Sequence, residues 1–171
     1  RLAGLEISAL PSALAGLLVL AGILAALGWA LSDLAAVPAL LGGLLGALLH
    51  AIGELWHNLG HAWAARRTGH PMRGVLFWGV LATSRYPTEE TALPLRVHIR
   101  RALGGPAASL LLAMAGAAMA WALWPVGGLL RALSVWFFLD NLLSFGLGAL
   151  LPLPFLDGGM ILHWWRRGRT R

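Results

Sequence analysis

The chain has 171 residues, of which 58% are hydrophobic and 12% charged, with a mean hydropathy of +0.74. A globular domain carries roughly 25% charged residues, so this composition excludes a water-exposed fold and places the chain in a lipid bilayer. The net charge of +6 comes from 13 basic residues, every one an arginine flanking apolar runs. That is the pattern of membrane topology, and no nucleic-acid partner is expected. Cysteine is absent, which excludes disulfides, thiolate metal sites and cysteine nucleophiles; any metal must be held by His, Asp or Glu.

In chain order, uncharged stretches of about 20 residues mark the spans. Four are predicted, at 10–31, 36–65, 102–124 and 130–151; Glu54 falls within the second, and the run from Ala132 to Leu156 that marks the last is interrupted only by Asp140. Together they predict an all-α integral membrane protein forming a single domain over 1–171. Gly42 and Gly46 give the second span a small-xxx-small face suited to close helix packing. A loop over 66–101 follows. Within it, Val75 to Leu81 is short, aromatic and partly β-branched, which predicts a strand or hairpin at the membrane surface. Tyr86 to Pro94, with Glu89 and Glu90, reads as a solvated loop. A basic tail occupies 164–171.

The arginines orient the spans. With a cytoplasmic N-terminus, Arg1, the seven arginines from Arg66 to Arg101 and the four of the tail share one side, against Arg131 alone on the other. Both termini are therefore expected in the cytoplasm, with a bacterial inner membrane as the expected location.

The second span ends in His57-Asn58-Leu59-Gly60-His61. Residues four apart on a helix lie one above the other, so both imidazoles can reach one metal ion. This is the spacing of the HExxH zinc motif with Asn58 at the glutamate position. An amide cannot act as the base that a metal-bound water needs, and such a base contributes roughly 10²–10⁴ in rate. The best third ligand is Asp157, in the helix-breaking run from Leu151-Pro152-Leu153-Pro154 to Asp157-Gly158-Gly159 at the cytoplasmic end of the fourth span.

These two segments together resemble the site-2 protease family of intramembrane zinc metalloproteases, whose pattern is HExGHxxAAxxxG followed much later by NxxPxPxLDGG. His57 to Gly69 matches the first element everywhere except Asn58. Pro152, Pro154, Leu156, Asp157, Gly158 and Gly159 match the second, with the family's leading asparagine falling on Ala149. Gly105-Pro106 is similar to a recurrent family feature, and Asn141 falls where the family often carries a polar residue. The resemblance spans about residues 40 to 165. It implies a three-helix core, zinc held by His57, His61 and Asp157 near the cytoplasmic face, and action on a transmembrane segment. Both departures, at Asn58 and Ala149, fall on catalysis and spare the proposed ligands. The expectation is a zinc-binding but catalytically impaired homologue that binds a transmembrane helix of another protein or serves a larger membrane complex.

Other polar residues leave alternatives open. His50, Glu54, His57 and His61 share an arc of about 60° on the helix, with Asn58 about 40° beyond it. Glu54 is thus a candidate substitute base, a metal ligand, a support for the ligands, or a plain buried hydrogen-bonding group. A substitute base would make the chain an active protease. Asn141 reads as packing glue between helices. Asp140 is expected either to pair with Arg131 or to be a buried neutral acid. A different class of reading is a haem- or chlorophyll-bearing subunit of a membrane complex, with His50 and His57 two turns apart as ligands.

Overall fold

The computed structural model describes residues 2, 4–32, 34–88 and 93–168; Arg1, Glu89, Glu90, Arg169 and Arg171 lie outside them. The element order is β1 (Glu6–Ala9), α1 (Pro11–Leu31), α2 (Ala36–Arg67), β2 (Gly74–Trp78), β3 (Leu81–Arg85), α3 (Leu95–Leu123), α4 (Gly128–Leu139) and α5 (Asp157–Gly168). α4 continues without a break into a π-helical stretch, Asp140–Leu147, and a 3₁₀ turn, Gly148–Leu150. Four helical stretches are long and apolar enough to cross a membrane: Pro11–Leu31, Ala36–Arg67, Leu95–Val126 and Gly128–Leu150.

Lipid tails are as apolar as leucine, so spanning helices are held by close packing rather than by hydrophobic expulsion. The sequence supplies small residues where the helices meet. α1 buries Ala13, Ala21 and Ala25 and leaves Leu14, Leu18 and Val19 exposed. α2 and α3 cross at Gly60 and Gly104, where a Cβ on either would overlap the other's carbonyl oxygen. α3 begins at Leu95, so residues 95–101 are helical and extend the third span toward the loop. The π-helical stretch after α4 is wider than an α-helix, a device often found at functional positions, and it buries Asp140 and Asn141 side by side.

The predicted hairpin is present as β2 and β3, antiparallel with Trp78 opposite Leu81. β1 joins them in parallel, giving a three-stranded sheet of order β1-β2-β3 with Ala9 opposite Phe77. Val75 of the sheet packs with Leu5 and Met72 onto Ala62 and Ala65 of α2. The hairpin packs against the helices on one side and leaves Trp78, Val80 and Leu81 exposed on the other. The Val80 carbonyl in its turn accepts a hydrogen bond from His50 Nε2 at 2.8 Å. His50 is 17 residues, roughly 25 Å, before the end of α2. Gly79 takes a left-handed φ of +55° there, and a Cβ on Gly16 of α1 would overlap its backbone.

Candidate metal centre

α2 carries His57 and His61 on one face, and the chain returns to them from the far end of the sequence. After Leu150 the prolines at 152 and 154 prevent further helix. Gly158 and Gly159 then let the chain fold back tightly: a Cβ at either would overlap the carbonyl of Leu150 or of Leu153. α5 begins at Asp157, whose carboxylate thereby faces α2.

The three side chains converge. His57 Nε2 lies 2.9 Å from His61 Nε2 and 3.1 Å from Asp157 Oδ2, and His61 Nε2 lies 3.3 Å from the same oxygen. Ligands about 2.0–2.1 Å from a tetrahedral zinc stand roughly 3.3 Å apart, so the donor atoms have the spacing of one coordination shell. Among the described residues these three form the one group of three or more such donors close enough to share an ion.

The outer ring nitrogens are anchored. His57 Nδ1 is 3.1 Å from Ser109 Oγ, and His61 Nδ1 donates to the Arg101 carbonyl at 2.7 Å. A carbonyl only accepts, so the His61 proton sits on Nδ1 and its Nε2 presents a lone pair inward, as in metal-binding histidines. Gly105 on α3 keeps the centre open, since a Cβ there would overlap both Nε2 atoms. Burial pushes the Asp157 carboxyl upward, but the His57 and His61 imidazoles beside it outweigh this and hold the group below the usual carboxylate range.

Asn58 and Glu54 face elsewhere. Asn58 Nδ2 donates to the Glu54 backbone carbonyl at 2.9 Å and to Glu54 Oε1 at 3.3 Å, and its Oδ1 accepts from Ser84 Oγ at 2.8 Å. Glu54 Oε1 accepts the Ala82 N–H at 2.6 Å. Both are buried beside strand β3, and neither joins the three converging side chains. Ala149 is buried in the 3₁₀ turn with only a methyl group to offer. Asn141 is fully buried; its Nδ2 donates to the Phe137 carbonyl at 2.9 Å, and its Oδ1 lies against Gly53.

Asp140 does not pair with Arg131. Both of its carboxylate oxygens lie within reach of His50 Nδ1, at 3.0 and 3.2 Å, whereas the Arg131 guanidinium stacks over Trp124 at 5.3 Å. The pairing crosses 90 residues of sequence, whereas Arg131 was only the nearest opposite charge. Sequence reasoning also missed Ser109 and the Arg101 carbonyl. Ser109 left a signal: it is the one hydroxyl residue between Ala102 and Leu123.

No protein-family profile matches the sequence, and no curated protein does. Among solved structures, the chain is similar to the site-2 protease from Methanocaldococcus jannaschii, with a TM-score of 0.63 and 18% identity, over 95% of this chain and 67% of that one. The chain therefore has a site-2-protease-like fold.

Proposed function

We propose that this chain is a membrane zinc protein that keeps the metal centre of the site-2 protease fold, has lost the hydrolytic base, and binds a transmembrane segment of a partner. The observation that carries the reading is the contrast between two adjacent residues of α2. His57 is anchored on Ser109 with its Nε2 turned to His61 and Asp157. Asn58 is turned away to Ser84 and Glu54.

His57, His61 and Asp157 would hold the ion, and Ser109 and the Arg101 carbonyl would fix the two rings. Zinc in such a site acts as a Lewis acid and activates a bound water. The remaining need is a proton acceptor, and the chain supplies none at residue 58. Glu54 is no ready substitute, because its carboxylate is engaged by the Ala82 N–H. The geometry also speaks against a porphyrin. Both ring nitrogens of His50 are taken, by Asp140 and by the Val80 carbonyl, and the other two imidazoles meet at 2.9 Å, which leaves room for a single ion.

An apolar groove between α1, α2 and α4, lined by Leu24, Leu27, Gly42, Leu133 and Trp136, supports a helical partner within the bilayer. The arginine distribution supports cytoplasmic termini. The test is elemental analysis of detergent-purified protein beside a His57→Ala/His61→Ala variant, with mass spectrometry of a transmembrane peptide incubated with each. Near one zinc per chain, lost in the variant, with no cleavage products, is expected. Absence of zinc or clear cleavage by the natural chain would overturn the reading.

A further inference from the structure

His50, Glu54 and Asn58 lie at i, i+4 and i+8 on α2, and each bonds a different residue of the hairpin. His50 Nε2 donates to the Val80 carbonyl at 2.8 Å, Glu54 Oε1 accepts the Ala82 N–H at 2.6 Å, and Asn58 Oδ1 accepts from Ser84 Oγ at 2.8 Å. Their partners lie at j, j+2 and j+4. Four helical residues rise about 6.0 Å, and two strand residues rise about 6.4–6.8 Å. The two repeats match, so one row of helical side chains keeps step with a strand running beside it.

We infer that these three residues are positioning residues that serve as a substitute strand for β3. β3 is the edge of the sheet, with β2 on its other side. An edge strand presents unpaired backbone groups that call for partners. The side chains of α2 satisfy them at residues 80 and 82 and add the Ser84 hydroxyl as a third rung. Asp140 stands behind the deepest rung. A carbonyl only accepts, so His50 carries a proton on Nε2, and a second proton between Nδ1 and the Asp140 carboxyl group holds the ring in that orientation.

The ladder gives residue 58 a task other than catalysis. An asparagine both donates to Glu54 and accepts from Ser84, whereas an ionised glutamate only accepts and would place a second carboxylate one turn from Glu54. While the ladder is closed, the outward edge of β3 is occupied, so an extended peptide adding there must first displace α2 side chains. This inference deepens the reading of Asn58 above. It rests on that reading only in taking residue 58 as released from base chemistry.

Hydrogen–deuterium exchange of nanodisc-embedded full-length protein tests it, with zinc and after EDTA treatment. The variants are His50→Leu/Asp140→Leu, which removes the pair without leaving a lone buried charge, Ser84→Ala, and Ser84→Thr as the conservative rescue. Exchange in 80–85 should quicken roughly tenfold in the double variant and less in Ser84→Ala. It should return toward the natural rate in Ser84→Thr, with α2 and α3 unchanged throughout. Unaltered exchange in 80–85 would overturn the ladder, as would quickening spread evenly over α2 and α4, which marks the pair as ordinary helix–helix bonding. The same samples report zinc content separately, so failure of the metal reading and failure of the ladder are distinguishable.

Discussion

Two imidazole–carboxylate clusters are built on α2 histidines two turns apart, and they are put to opposite uses. At His57, His61 and Asp157 the rings are anchored by their outer nitrogens, the inner nitrogens converge, and Gly105 leaves the middle open. At His50 and Asp140 both ring nitrogens are spent, one on the carboxylate and one on the hairpin turn. The residue types are the same. Whether a lone pair is left pointing at open space separates the proposed ion site from a clamp.

The comparison breaks most visibly on metal content. His57→Ala/His61→Ala should lose bound zinc outright, whereas His50→Leu/Asp140→Leu should keep it, as elemental analysis of the two purified proteins would show. Next in size is the response to a half-removed pair. His50→Leu alone strands a buried carboxylate and should cost about 3–5 kcal/mol, while the double replacement recovers most of that; thermal melts of the three proteins in one detergent check the ordering. Equal melting temperatures for the single and double variants would mean that the pair carries no buried charge.

Smaller effects sharpen the assignment of roles around the metal. Ser109→Ala frees the outer nitrogen of His57 and should weaken zinc affinity roughly tenfold to a hundredfold, the usual consequence of losing a partner that orients a ligand. Competition with a calibrated chelator measures it, and the same substitution should leave hairpin exchange untouched. Last comes Asn58→Glu, whose gain Glu54 holds down. A restored base is worth up to about 10²–10⁴ in rate, but two carboxylates one turn apart in a buried setting favour protonation of one of them. Asn58→Glu/Glu54→Gln should therefore cleave a transmembrane peptide faster than Asn58→Glu alone; the reverse order would show that Glu54 assists rather than competes.

Much of this was legible in the residues. Uncharged runs marked the spanning helices, the His57–His61 spacing marked a shared face, and the Pro and Gly residues around Asp157 marked the return of the chain. What escaped was long-range pairing. β1 is four residues whose partner strand lies more than sixty residues onward, too short to announce itself by alternation. The surface hairpin was legible, but its own sequence carries no sign of the His50 donor that bonds its turn. For Asp140 the sequence left open a pairing with Arg131 or a buried neutral acid, and its partner, His50, sits on another helix.

The most direct test of the account is zinc per chain in the two double variants measured side by side with the natural protein. The account predicts near one, none, and near one for the natural chain, His57→Ala/His61→Ala and His50→Leu/Asp140→Leu respectively. Zinc absent from the natural chain, or lost equally from both variants, would contradict it.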